Sequence, residues 1–443
     1  MKAIRNINIF TGGESPKFIK NGSIIFNDKI VKILEKDDDL KKFDVEIIDG
    51  KGKLLIPGMI ISHDHLYSSL ARGIGLKDSS PRNFYEILDK LWWKLDLALD
   101  RESVYYSALI GLIDAIKNGV TSIIDHHASF GYIKNSLDEI ENAQNQIKIR
   151  VSTCFEVSDR WGEEKAKESI EENLRFIEKH KKRANKFIVP TFGLHALFTL
   201  SEETLKMCSE IVKEYQIPIH VHLSEDRFDR DYNIKFFGLS PVERLYKENM
   251  LNDKTLLIHC VHIDEKDRNL IKERNSIVIH NPESNMNNAV GLPDIFSLLK
   301  RGVLVGLGTD GFTHDMFRET QVLYIAHKHD KKDSNIGFFE SYKLLFENNP
   351  KIVSSIFDEK VGEIKEGFVS DFVILDYTPP TPLNENNFFG HFIFGMSSKF
   401  VTHVFVNGEL IVKDREILGI DEEKIFEESR KITQRLWERF ESI

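Results

Sequence analysis

The sequence predicts an α/β fold: a (β/α)8 barrel of the TIM type, with a small β-sandwich domain built from both chain ends. Three observations predict it. Short apolar runs recur eight times through the middle of the 443-residue chain, most of them followed by a charged stretch with helical periodicity. Strand-like alternation occupies both termini. And run after run finishes on polar groups, histidine above all.

Residues 1–53 read as short strands and turns: "AIRNINIF", "GSIIFNDKIVKILE" and "DVEIIDGKGKLLI" alternate apolar and polar positions between Gly and Asn-Asp breaks. Residues 54–361 hold the eight runs: "GMIISHDH", "VTSIIDHHAS", "IKIRVSTCFEVSD", "FIVPTFGLHA", "IPIHVHLSED", "TLLIHCVHID", "SIVIHNPES" and "GVLVGLGTDG". Strands buried on both faces are continuously apolar, as these are. Their alternation with helices calls for a parallel sheet, and eight units in roughly 250 residues close a barrel. A doubly wound open sheet is the alternative, but no GxGxxG follows the first strand, which argues against a dinucleotide-binding version. Residues 362–420, with "VGEIKEGFVSDFVILDY" and "VTHVFVNGELIVKDREI", return to the β pattern and complete the end domain. Residues 421–443 form a final helix whose Ile425, Ile432, Leu436 and Phe440 dock on the body.

Bulk composition excludes several classes. Hydrophobic residues at 41% and charged residues at 29% are ordinary for a soluble enzyme. A net charge of -10 offers no basic footprint for nucleic acid or an anionic membrane. No run is long enough to span a bilayer. Three cysteines make no disulfide framework, and the opening residues lack the apolar core of a signal peptide, so a cytoplasmic location is expected.

Barrel active sites lie at the C-terminal ends of the strands. There the sequence puts His63 and His65, His126 and His127, His195, His222 and Glu225, His259 and His262, His280 and Asp310. Residues two apart on a strand point the same way, so His63 and His65 face one side, as do His220 and His222. A single histidine at a strand end is most often a hydrogen-bonded core residue. Many imidazoles and a carboxylate aimed at one point are costly unless a cation binds them, and such a set suits zinc or iron.

This constellation resembles the amidohydrolase superfamily over nearly the whole chain. "PGMIISHDH" resembles its opening HxH, "IHVHLSED" its strand-five H-x-x-E, and "LIHCVH", "IHNPESNM" and "GLGTDG" its strands six to eight. "VGEIKEGFVSDFVILD" is similar to the family's return to the β domain, with Ser370 where alanine is usual. Within the superfamily the chain resembles the deaminase and chlorohydrolase branch. A finer resemblance, to SsnA-like aminohydrolases, rests on "LWWKLD", "IDHHASF", "FEVSDR", "MNNAVG" and "GTDGFTHDM".

The resemblance implies one divalent metal per chain, zinc first and iron as the alternative, held by His63, His65, His222 and Asp310. Binuclear relatives carry a lysine on strand four, where this chain offers His195. It also implies that the metal lowers the pKa of water toward ~7, that Glu225 protonates a ring nitrogen, that Asp310 moves a proton from water to the leaving amine, and that His259 orients the attacked centre. "GLHALFTLS" resembles the branch's G-P-H-A-x-x-T-C-S, with Leu194 in place of proline, and makes His195 a substrate contact. "PTFG" lacks the arginine of the P-R-F stretch usual in guanine deaminases, which disfavours guanine. Tyr67 and His127, just past strand ends, are further candidate contacts. So is Trp92 of the Trp92–Trp93 pair, since adjacent helical residues do not share a face. Asp159 and Arg160 are placed near the site, Arg160 binding a substrate carboxylate or forming a surface salt bridge. His314 and Asp315 are placed at the mouth.

The expected activity is hydrolytic deamination of a purine-, pterin- or pyrimidine-like heterocycle. The alternatives are opening of a cyclic amide or imidazolone ring, or loss of chloride. A catalytically dead assembly protein is disfavoured because each ligand position and Glu225 are kept. A small-molecule substrate and a homodimer or larger homo-oligomer complete the expectation.

Overall fold

The computed structural model describes the chain except residues 78–79 and 183–184. Barrel strands one to eight are Met59–Asp64, Val120–Asp125, Arg150–Thr153, Phe192–Ala196, Ile219–Leu223, Leu256–His259, Ile277–His280 and Val305–Leu307. All neighbours pair in parallel, and a parallel bridge between Asp64 and Asp310 joins the last strand to the first. Strand three continues after Phe155 as Glu156–Val157, which carries the pairing to strand four. All eight apolar runs therefore become barrel strands, because each is buried on both faces.

The two termini form one hydrogen-bonded sheet. Lys2–Phe10, Phe18–Phe26 and Ile30–Leu34 from the start join Phe372–Leu375, Val401–Val406 and Glu409–Lys413 from the end. Phe26 and Phe372 are separated by two intervening strands, at about 4.8 Å per strand. Their rings nonetheless lie 5.0 Å apart, and Phe405 lies 5.6 Å from Phe26. The sheet must curl over its own core, which is how a sandwich arises from continuous pairing. It also runs past the expected boundary at residue 53: Leu54–Pro57 is its central strand, pairing with both Lys2–Phe10 and Phe372–Leu375. Only Gly58 separates this strand from barrel strand one, so the same chain segment leaves the sheet and reaches His63 and His65. Arg150, fully buried on strand three, pairs with Asp371 of the return segment and ties the two units together.

The final helix, Glu422–Ser442, buries Ile432, Leu436 and Phe440 as expected. Its Trp437 Nε1 donates to Leu70 O at 2.9 Å, bracing the excursion that follows strand one. Among the described residues no helix is long and apolar enough to cross a membrane.

Candidate active site and metal centre

The strand ends deliver the imidazoles to one point. His63, His65 and Asp310 offer donor atoms within 4.8 Å of one another, as do His63, His222 and His259, and Glu225, His259 and Asp310. His65 Nε2 lies 3.0 Å from His222 Nε2 and 3.1 Å from Asp310 Oδ1, and His63 Nε2 lies 3.7 Å from the same oxygen.

The outer ring nitrogens show why this cluster suits a cation. His65 Nδ1 faces His126 O at 2.6 Å, and His222 Nδ1 faces His195 O at 2.8 Å. A carbonyl only accepts, so both Nδ1 atoms carry protons, and in the neutral rings both Nε2 atoms are lone pairs. Two lone pairs facing each other at 3.0 Å have no bond to make, so without a cation one ring must take up a proton, and the Asp310 charge makes that ring His65; a bound cation takes that proton's place. His63 Nδ1 is engaged by His220 Nε2 at 2.8 Å, while its buried Nε2 has no hydrogen-bond partner. A cation at the convergence point satisfies all three at once, and anchored outer nitrogens are the usual support of histidine ligands. The residues fit a divalent metal.

Backbone conformation contributes. His259 has φ 73° and Asp310 φ 55°, left-handed positions that cost non-glycine residues about 1–2 kcal/mol. Such strain persists where surroundings enforce it, and functional sites are where it gathers. Gly308, in "GLGTDG", allows strand eight to pass strand one: a Cβ there would meet Asn281 Oδ1 at 2.4 Å and His63 N at 2.8 Å.

Residues 54–411 match the amidohydrolase family. The chain belongs to that family. It is 30% identical over 432 residues to a 5'-deoxyadenosine deaminase of Methanocaldococcus jannaschii, covering 96% of this chain and 97% of that one. It is 28% identical to a 5-methylthioadenosine/S-adenosylhomocysteine deaminase of Halothermothrix orenii, covering 98% and 99%. The fold superposes on an adenosine deaminase of Xanthomonas campestris with bound zinc, with TM-score 0.84 and 19% identity over 100% of both chains. This amidohydrolase is thus a metal-dependent hydrolase of C–N bonds.

Electrostatics divide its two carboxyls. Burial, reinforced by the Asp310 charge, holds Glu225 well above the usual carboxylate range, which favours its protonated form. Burial alone would raise Asp310, but the adjacent His63 and His65 imidazoles outweigh it and keep Asp310 far below that range. One acid and one base result from environment alone. His259 is pushed down to about 3 by burial and is neutral. The Asn285 amide lies 2.8 Å from its Nδ1, and its Nε2 lies 3.3 Å from Glu225 Oε2.

A cavity opens above these groups. Tyr67, His195 and Trp92 line it, beside Glu225, His259 and Asp310. His195 Nδ1 meets Thr199 Oγ1 at 2.9 Å, and that hydroxyl donates to Ala196 O, so His195 keeps Nε2 as an acceptor.

Four expectations need correction. His127 does not line the cavity; it is fully buried, with Nε2 on Ser129 Oγ at 2.8 Å. Trp93 lines it as well as Trp92, because the helix is wound wide over Leu88–Trp92 and adjacent side chains diverge less. Arg160 is in neither expected role: its side chain is 5% exposed and pairs with buried Asp96 and Glu156. His314 does not line the cavity; it is buried, with Nε2 3.3 Å from Asp64 Oδ1. Asp96 and Glu156, which also line the cavity, were missed. Both lie inside quoted motifs, "LWWKLD" and "FEVSDR", where nothing distinguished them from surface carboxylates.

Proposed function

We propose that this protein deaminates a 6-aminopurine, with adenine nucleosides as the substrate class and one divalent cation per chain, zinc in preference to iron. Glu225 carries the reading: a buried carboxyl whose environment favours the protonated form, 3.3 Å from His259 Nε2, on the wall of a cavity whose other walls include two indole rings. The likeness to deaminases of 5'-modified adenosines supports the substrate class. The zinc in the Xanthomonas adenosine deaminase supports the choice of metal.

A divalent cation held by His63, His65, His222 and Asp310 supplies the Lewis acidity that makes water a nucleophile at neutral pH. Glu225 gives its proton to a ring nitrogen as the C–O bond forms at the amino-bearing carbon. Asp310 accepts the proton that water loses and passes it to the amino group; the C–N bond breaks to release ammonia as the new hydroxyl returns a proton to Glu225, leaving the neutral oxopurine. His259, neutral and held by Asn285, orients what lies between the two carboxyls. Trp92 and Trp93 flank a planar base, and His195 offers it an acceptor. Three buried free cysteines suit a reducing cytoplasm, and a homodimer or larger assembly is part of the proposal.

The test is ammonia release from adenine, adenosine, 5'-deoxyadenosine, 5-methylthioadenosine and S-adenosylhomocysteine by zinc-loaded and ferrous-loaded protein. Glu225→Gln should keep its metal and lose about 10²–10⁴ in rate. Loss of ultraviolet absorbance without ammonia would replace deamination by ring opening. No change in any compound with metal bound would end the purine reading.

A further inference from the structure

One short helix, Pro282–Asn287 with the residue that follows it, reaches every proton-handling group of the site. Ser284 Oγ donates to Asp310 Oδ2 at 2.5 Å. Asn285 Nδ2 lies 2.8 Å from His259 Nδ1. Asn288 Nδ2 donates to Glu225 Oε1 at 3.1 Å and lies 3.5 Å from Ser284 Oγ. The donors and acceptors match along this line. An amide nitrogen has two protons, one directed at Glu225 and one at Ser284; the hydroxyl accepts that and gives its own proton to Asp310.

We propose that Asn288 is a positioning residue for Glu225, and that the Ser284–Asn288 bridge sets the orientation of both carboxyls. The terminal torsion of a glutamate is broad, so burial alone does not choose which oxygen faces the substrate. Here Oε1 is tied to Asn288, which leaves Oε2 toward His259 and the cavity. A side-chain amide does not surrender its protons at neutral pH. The bridge therefore fixes the distance between acid and base without passing a proton from one to the other, which would discharge both. The helix is anchored in turn. Its N-cap, Asn281, gives the helix no side-chain capping bond, and Glu283 N instead donates to Glu319 Oε1 at 3.0 Å. Glu319 lies on Met316–Lys331, the helix that follows strand eight and Asp310, so the segment after strand eight also steadies the holder.

The value of Glu225's proton rests on the deaminase reading; the geometry of its carboxyl does not. The experiment therefore has two readouts on zinc-loaded wild type, Asn288→Leu and Asn288→Gln. The first is ammonia release from 5'-deoxyadenosine. Asn288→Leu, close in size, should lose about 10- to 100-fold in kcat with KM nearly unchanged, one zinc retained and Tm unmoved, and Asn288→Gln should recover part of the loss. The second is the Glu225 carboxyl band, taken as the infrared difference between each protein and its Glu225→Gln counterpart. It should shift in Asn288→Leu whether or not the compound turns over. An unshifted band overturns the positioning role, as does a kcat within about twofold of wild type where turnover is seen. A shifted band with no ammonia from wild type keeps the positioning role and removes the deaminase reading.

Discussion

Arg160→Met tests the buried charge cluster on the cavity wall. The guanidinium is 5% exposed, donates to Asp96 Oδ2 at 2.5 Å and to Glu156, and lies 4.3 Å from the centre of the Phe130 ring. Asp96 and Glu156 are 1% and 3% exposed, and burial raises both above the usual carboxylate range even with Arg160 present. Methionine fills much of the volume but leaves two buried carboxylates without a counter-charge. Breaking a buried pair from one side costs about 3–5 kcal/mol. Unfolding entropy of about 2.1 cal/mol/K per residue over 443 residues is about 0.9 kcal/mol/K, so Tm should fall by about 3–5 °C. The pH dependence has a definite sign. Carboxyls whose folded pKa is raised favour the folded state while protonated and oppose it as pH rises through that pKa. The penalty should therefore be larger at pH ~8 than at pH ~5.5, and Asp96→Asn in the same chain should recover part of it. Calorimetry at fixed zinc concentration reads both. A Tm within about 1 °C of wild type at the higher pH, or a penalty that grows on acidification, would refute the account.

Zinc uptake should displace a proton. Burial lowers the His65 pKa, but the bond and charge of Asp310 outweigh it and bring it to about 9 in the metal-free protein. That proton is present below about pH 9, so binding at pH 7 releases about one, and apparent affinity rises about tenfold per pH unit until near pH 9; binding heats at pH 7 that do not vary with buffer ionisation enthalpy would count against it. Gly308→Ala should cost about 1–3 kcal/mol and lower zinc content, since the new methyl meets Asn281 Oδ1 and the His63 backbone; thermal melts with metal analysis check it, and an unaltered protein would mean the strands part freely. Trp93 Nε1 is buried, unpartnered and on the cavity wall. Trp93→Phe, which keeps an aromatic ring, should raise KM about fivefold with kcat unchanged if that N–H meets the substrate.

The barrel and the candidate ligand cluster were legible because both are periodic. Runs buried on two faces are continuous in sequence, and His63 and His65 share a face by the two-residue repeat of a strand. What was not legible depends on contacts between distant loops. Asp96 and Glu156 read as unremarkable carboxylates until the fold brings Arg160 between them. Trp93 was set aside by a rule for regular helices that the wide turn at Leu88–Trp92 does not obey. His127 is expected at the pocket because it lies just past a strand end, yet its ring turns to Ser129. Asn288 sits in a quoted motif, but nothing local shows that its amide reaches Glu225, 63 residues earlier.

The central strand Leu54–Pro57 has one neighbour made before it and one made roughly 300 residues later, in Phe372–Leu375. On a ribosome adding ~5–20 residues per second, that partner emerges only after tens of seconds. Until then Leu54–Pro57 is an edge strand with exposed backbone groups, joined through Gly58 to the segment that bears His63 and His65. A nascent chain interrupted before residue 372 would therefore hold all the side chains proposed to bind the metal and still present an unpaired edge, the kind of surface that chaperones cover.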